Sequence, residues 1–201
     1  MIARFVQIAP DLLTRLIIDP SLAPGLFQID EAANGGPAGE IGLDAEHVAQ
    51  DSAISPQPNR PPLGSHPACS IQQGMGAALS LEKAWHGVHY LLCGEPDAGR
   101  TILSQAILGG TEFGDDLGYG RARYFAQAKV SLTAREMAQA ELELEIEMKA
   151  RFDPVQMARA GIYPRLWTPT DAAWLIEEFR RLKNFYVEAG AGQFALVTCI
   201  V

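Results

Sequence analysis

The sequence predicts a single α+β domain over residues 1–201, in which a small sheet packs against several α-helices. Three observations carry this expectation. Both ends of the chain, residues 2–9 (IARFVQIA) and 193–201 (QFALVTCIV), are apolar runs of strand character that can pair in one sheet. Between them lie segments whose apolar residues recur at helical spacing. From 20 to 70 the pattern lapses: eight of the thirteen prolines fall there with many glycines, which reads as a long, loop-rich insertion.

The elements follow in order. Residues 2–9 form a short strand that runs into Pro10. Residues 11–19 (DLLTRLIID) place leucine and isoleucine on one helical face and stop before Pro20. Within 20–70 only 25–30 (GLFQID) and 40–48 (EIGLDAEHV) have the character of local structure, and 51–70 reads as surface loop. Order resumes at Ser80, read as the N-cap of a helix that ends at Gly94. Leu81, Trp85, Val88 and Leu92 fall on one stripe of that helix; Glu82, His86 and His89 fall on another. A short helix is expected over 104–108. Five glycines between 109 and 120 predict an irregular, tightly turned loop, followed by a strand at 121–126.

Residues 141–148 (ELELEIEM) alternate with period two, the strand signature, yet Glu, Leu and Met favour helix, as do the flanking residues. The propensities predict a helix over 130–152, broken near Ala140, with its glutamates on a solvated face. Asp153 as N-cap, Pro154 at the first helical position and Gly161 as stop define a short helix. Thr170 or Asp171 opens the last helix, whose Trp174, Ile176, Phe179, Leu182 and Phe185 make a broad apolar face. No internal repeat is present.

Composition narrows the function classes. Sixteen basic against twenty-four acidic residues give a net charge of −8, and no local basic patch is visible, which argues against nucleic acid as partner. Five of those negative charges lie between 20 and 70, where six acids face Arg60 alone. Cys69, Cys93 and Cys199 are far apart and show no metal-ligand spacing, so neither a disulfide framework nor a structural zinc site is expected. No leader pattern and no apolar run near ~18 residues appears, so the reading is a cytoplasmic protein that does not engage membrane.

Three constellations could carry chemistry. Glu82, His86 and His89, at i, i+4 and i+7, stack a carboxylate and two imidazoles on one helical face, a metal-binding arrangement if Glu112, Asp115 or Asp116 completes it. The alternative is a polar helix flank with a structural histidine, and no cofactor is expected. The glycine-rich loop combines backbone N–H groups with Arg121 and Arg123, and with Tyr119 and Tyr124 to stack on a base, a composition suited to a phosphorylated ligand. It matches neither phosphate-loop nor dinucleotide fingerprint, and Glu112, Asp115 and Asp116 oppose an anion, so a structural turn is the stronger reading. Third, Lys83, Trp85, His89 and Tyr90 could line a cleft, with His89 as acid–base and Lys83 as anion anchor. Trp85 in this position is more often a core residue. No nucleophile elbow, metalloprotease motif or cysteine–histidine spacing is present, which leaves enzymatic activity open.

Residues 81–94 (LEKAWHGVHYLLCG), 106–125 (AILGGTEFGDDLGYGRARYF) and 152–167 (FDPVQMARAGIYPRLW) together resemble the YfbM-like bacterial family, domain of unknown function 1877. The resemblance spans the ordered part of the chain and implies a small α+β cytoplasmic domain with no activity to carry over. Arg121 stands where the family has proline after Gly-Tyr-Gly, and Cys93 precedes Gly94 where threonine is common.

The leading functional expectation is action by binding: an interaction with a protein partner, such as an inhibitor or immunity-type role against a basic surface, or a homo-oligomer through exposed parts of the 174–185 face. The rival is a small-molecule or nucleotide-phosphate site, or an enzyme, between the 81–94 helix and the 109–124 loop. That rival requires His89, Tyr119 and Arg123 to meet in one pocket.

Overall fold

A computed structural model of the chain describes residues 1–28 and 71–201. The expected features at 40–48 and 51–70, and Ile29 and Asp30 of the 25–30 segment, lie outside the described residues. The described chain is an α+β fold built on one five-stranded antiparallel sheet: β1 (Ala3–Ile8), β2 (Met75–Ser80), β3 (Thr111–Asp116), β4 (Arg121–Phe125) and β5 (Ala195–Ile200), in the order β2-β1-β5-β4-β3. The terminal strands pair as expected, from Ala3 opposite Ile200 to Ile8 opposite Ala195. Their continuous apolar character follows from position. β5 lies in the middle of the sheet with both faces covered, so neither set of alternating side chains meets water.

Seven helices surround the sheet among the described residues. α1 (Pro10–Ile18) and the short α2 (Ala23–Gln28) cover one face, packing Leu12, Leu16 and Leu26 with Val6, Ile8 and Val197. The other face carries the larger core, where Phe5, Phe125 and Leu196 meet α3 (Trp85–Cys93), α4 (Gln127–Gln139), α5 (Glu141–Arg151), α6 (Pro154–Arg159) and α7 (Asp171–Ala191). Sequence alternation along β1 sorts Phe5 into one core and Val6 into the other.

Local chemistry explains most boundaries. Pro10 opens α1 at a position where its missing N–H costs nothing. Asp153 accepts N–H bonds from Val155 and Gln156 at the start of α6, and Gly161 (φ 73°) supplies the left-handed turn after it. α4 and α5 separate at Ala140 (φ −107°, ψ 17°), where the sequence places a break.

Four expectations need correction. The segment before Ser80 is strand β2, so Ser80 ends a strand. A 3-10 turn over Glu82–Ala84 then leads into α3, with the Glu82 N–H donating to Ser80 Oγ at 3.3 Å. Gly76, Ala77 and Ala78 carry little strand propensity; Gln7 secures them instead. Its buried amide accepts from the Ala77 N–H (3.3 Å) and donates to Phe185 O (3.3 Å), at a bulge in the β1–β2 register. Second, the glycine-rich segment is an ordered hairpin, β3–β4. Gly118 (φ 121°) and Gly120 (φ 109°) form its turn, and Asp116 Oδ1 accepts from both of their N–H groups at 2.7 and 3.2 Å. Third, the glutamate run of α5 is not wholly solvated: Glu145 is buried and held by Arg180 at 2.7 and 2.8 Å, while Leu142 (71% exposed) and Ile146 (59%) face outward. Fourth, the short helix expected at 104–108 is a 3-10 turn at Leu103–Gln105. The apolar face expected of α7 lies in the chain's own core through Ile176, Phe179, Leu182 and Phe185, with Trp174 exposed at its edge.

Candidate functional site

The expected stripe is buried: Leu81 just ahead of α3 and Trp85, Val88 and Leu92 within it are in the core, with Leu91 beside them. It stops at Gly94, whose left-handed conformation (φ 77°) turns the chain back across the helix end, and the N–H of Gly94 bonds to Tyr90 O at 2.7 Å. The returning loop lays two consecutive carbonyls over the two histidines. His86 Nε2 lies 2.9 Å from Pro96 O and His89 Nε2 lies 3.1 Å from Asp97 O.

These contacts fix the tautomers. A carbonyl oxygen only accepts, so each Nε2 carries the hydrogen. His86 Nδ1 accepts from the backbone N–H of Tyr163 at 3.0 Å, which independently requires it to be bare. His89 Nδ1 is buried and has no hydrogen-bond partner among the described residues. Burial holds both imidazoles below their usual value of 6.5, against the opposing pull of the carbonyls and of Asp97.

The same geometry limits what His89 can do. Its Nε2 is 3.5 Å from Cys93 Sγ, but the nitrogen facing the sulfur already bears a hydrogen and cannot take the thiol proton. Cys93 donates to His89 O at 3.1 Å, and burial pushes its thiol up, so this pair is a neutral packing contact. The metal arrangement does not assemble. Glu82 sits ahead of the helix, with Ser80 Oγ donating to its carboxylate at 2.8 Å, and both histidine Nε2 atoms are committed to carbonyls. Among the described residues no group of three or more His, Cys, Asp and Glu side chains is placed to hold a metal ion.

Two open clefts flank the returning loop. The smaller, about 520 Å³, is lined by Cys93, Glu95, Arg100, Thr101 and Ser104 with Ala98 and Gly99. The larger, about 770 Å³, lies between that loop, the hairpin and the start of α4, and its lining includes Gly99, Gln105, Glu112, Arg123, Ala126 and Lys129. Ala98 and Gly99 belong to both, so this stretch of backbone is the wall between them.

In the larger cleft Arg123 Nη2 pairs with Glu112 directly across the β3–β4 ladder at 3.0 Å. Lys129 Nζ donates to Gln105 Oε1 at 2.9 Å, and Gln105 Nε2 donates to Gly99 O at 3.1 Å, a relay from the first turn of α4 to the dividing wall. α4 begins at the cleft with Ala126 as N-cap and no side-chain capping bond, so the positive end of its dipole faces the opening.

The sequence candidates therefore divide. Glu112 and Arg123 line the larger cleft, along with Tyr124. His89 is fully buried under the loop, Trp85 is a core residue stacked on His86 (centroids 4.7 Å, planes 5° apart), and Lys83 is exposed on the 3-10 turn. Tyr119 is 59% exposed at the hairpin tip, Arg121 is exposed opposite Asp116, and Asp116 ties the turn, its carboxyl held below the usual range by the Gly118 and Gly120 N–H groups. Neither His89 nor Tyr119 lines the cleft that holds Arg123, so the three do not form the one pocket the rival reading required. Gln105 and Lys129 escaped sequence reading. Each is a single polar residue without a motif, and no spacing in the sequence marks it.

Comparison with known proteins places this geometry in a family. The fold matches the crystal structure of YfbM from Escherichia coli, a protein of unknown function, with a TM-score of 0.63 and 16% identity over the full length of both chains. At that identity the likeness establishes the fold alone. No curated protein matches the chain. A family model, "Domain of unknown function (DUF1877)", matches residues 1–198, and the chain belongs to that family.

Proposed function

We propose that the protein binds a small anionic ligand, one bearing a phosphate or carboxylate group, in the larger cleft. The observation that supports this most directly is the pairing of two cations from different elements, Arg123 of β4 and Lys129 of α4, on one open cleft of about 770 Å³ beside the uncapped start of α4. Each cation is oriented by one partner and retains further donors: a lysine has three N–H groups and an arginine five. Five of the eight net negative charges belong to residues 29–70, so the acidity of the chain is not concentrated at the cleft.

Calorimetric titration with inorganic phosphate and with sulfate tests the reading. Saturable binding is expected, weakened about tenfold (about 1.4 kcal/mol) in Lys129→Ala and in Arg123→Ala, and preserved or strengthened in Glu112→Gln. A ligand at about 100 times its Kd adds about 2.7 kcal/mol, so a thermal-shift assay is an independent readout. Absence of binding to both anions, or wild-type affinity in both cation variants, overturns the reading.

A protein-interaction role, including homo-oligomerisation, is the second reading. It is supported by Leu142 and Ile146, one helical turn apart on the outward side of α5. Sedimentation of the wild type and of Leu142→Glu across a concentration series, alone and with a basic partner protein, tests it. Concentration-independent monomer in both argues against self-association.

A further inference from the structure

We propose that His86 and His89 form a pH-sensitive latch that holds the 95–99 loop, and with it the wall of the anion cleft, in place only while both imidazoles are neutral. The latch stands on hydrogen-bond geometry; its effect on a ligand rests on the cleft reading above.

His86 uses both ring nitrogens in opposite senses: Nε2 donates to Pro96 O at 2.9 Å and Nδ1 accepts from the Tyr163 N–H at 3.0 Å. A proton added at Nδ1 would set one N–H against another, so the Tyr163 contact must break. His89 donates from Nε2 to Asp97 O at 3.1 Å, and a proton added at its buried Nδ1 would create an N–H with no acceptor among the described residues. A buried unsatisfied donor on a charged ring is costly, and moving the ring toward water releases the carbonyl above it. Two imidazoles on consecutive turns of α3 thus clamp two consecutive carbonyls, and neither clamp tolerates the second proton.

Charged and titratable groups face the two rings from several elements. From the loop, Asp97 favours protonation of both rings and Glu95 favours that of His89. The two histidines lie 6.5 Å apart between centroids, and each disfavours charge on the other. On α5, Arg151 donates to Leu91 O and Leu92 O and pairs with Glu147. On α7, Glu178 is paired with Arg181. Cys93 is neutral, and the Tyr163 hydroxyl accepts from the chain's N-terminal amine at 3.5 Å. Burial outweighs the loop carboxylates, so both rings resist protonation in the folded state.

A histidine whose folded pKa is depressed does not change stability above about pH 6.5, where both states are neutral. As pH falls below that value the open form gains protons first, and the closed loop loses ground until the folded pKa is passed. Two hydrogen bonds connect the loop to the cleft: the Gly99 carbonyl anchors Gln105, and Gln105 orients Lys129. Opening the loop removes that anchor.

Hydrogen exchange on the full chain, read by mass spectrometry over residues 94–101, tests the latch by comparing the wild type with a His86→Gln/His89→Gln double variant. Glutamine keeps a side-chain N–H donor and does not titrate. After correction for intrinsic exchange, both should be equally protected near about pH 7.5. Near about pH 5.5 the wild type should lose protection, up to about tenfold per histidine, while the double variant does not. Unchanged wild-type protection, or equal loss in the double variant, overturns the latch. Should the double variant not fold, the ring nitrogens of the wild type decide by NMR: both histidines should be Nε2–H tautomers that titrate below 6.5, and an Nδ1–H tautomer or an ordinary titration overturns the proposal.

Sulfate, whose charge is constant over this range, reports on the cleft. Its affinity should fall over the same pH interval in the wild type alone. Loop opening with no sulfate binding at either pH would sink the cleft reading and leave the latch standing.

Discussion

Replacing Glu145 with alanine tests the least expected contact in the fold. Glu145 lies inside the period-two run, where sequence reasoning places it on a solvated face, yet it is 7% exposed and both carboxylate oxygens accept from Arg180 at 2.7 and 2.8 Å. Lys149 adds a weaker contact at 3.8 Å. Hydrogen bonds to charged partners contribute about 1.5–3 kcal/mol each when the geometry is good. Arg180 is 45% exposed, so once freed it is rehydrated rather than stranded, and solvent screening brings the loss below the two-bond sum of about 3–6 kcal/mol. We therefore expect about 2 kcal/mol, or a melting temperature lower by roughly 4–8 °C for a domain of this length. Thermal unfolding of Glu145→Ala, Arg180→Ala and the double variant measures the coupling, which should be at least about 1 kcal/mol. The Arg180 guanidinium holds the Glu145 carboxyl below its ordinary value of 4.5. Its stabilisation is therefore present above about 4.5, and should fade as pH drops through the lower folded value. A single variant within about 0.5 kcal/mol of wild type would refute the reasoning, because that is what a solvated surface glutamate gives.

Other expectations follow from close contacts. A Cβ at Gly87 would lie 2.7 Å from Trp167 and 2.9 Å from Leu175, so Gly87→Ala should destabilise α3 against α7 by about 1–3 kcal/mol in chemical denaturation. Tyr186 is fully buried and its hydroxyl donates to Ala106 O at 2.6 Å; Tyr186→Phe leaves that carbonyl unpaired and should cost about 1–2 kcal/mol by the same assay. Burial pushes the Cys199 thiol up to about 12 and raises that of Cys93, so at about pH 8 iodoacetamide should leave Cys199 unlabelled and modify Cys93 more slowly than a peptide thiol. Peptide mass spectrometry reads both, and prompt labelling of Cys93 would show that its contacts with His89 O and Glu95 O do not hold it.

The sequence by itself determined the elements whose information is local or strongly periodic. The pairing of β1 with β5 follows from two apolar runs that only a buried sheet can use. The Asp153–Pro154 start of α6 and the Gly94 stop of α3 are written in single residues with specific backbone roles. Tertiary structure decided the rest, because the deciding interactions join distant residues. β2 exists because Gln7, about seventy positions earlier, satisfies its bulge, a contact invisible to the propensities of Gly76–Ala78. The inward face of α5 carries Leu144 and Met148 into the core together with Glu145, which Arg180 of α7 pairs, and Leu142 and Ile146 are left outward. The histidines were legible as a pair on one face of α3, but their meaning depends on two carbonyls that reach them only after the chain reverses at Gly94. The cleft draws Gln105, Arg123 and Lys129 from three separate segments, and no spacing along the chain records a meeting that only the packing of hairpin, loop and helix brings about.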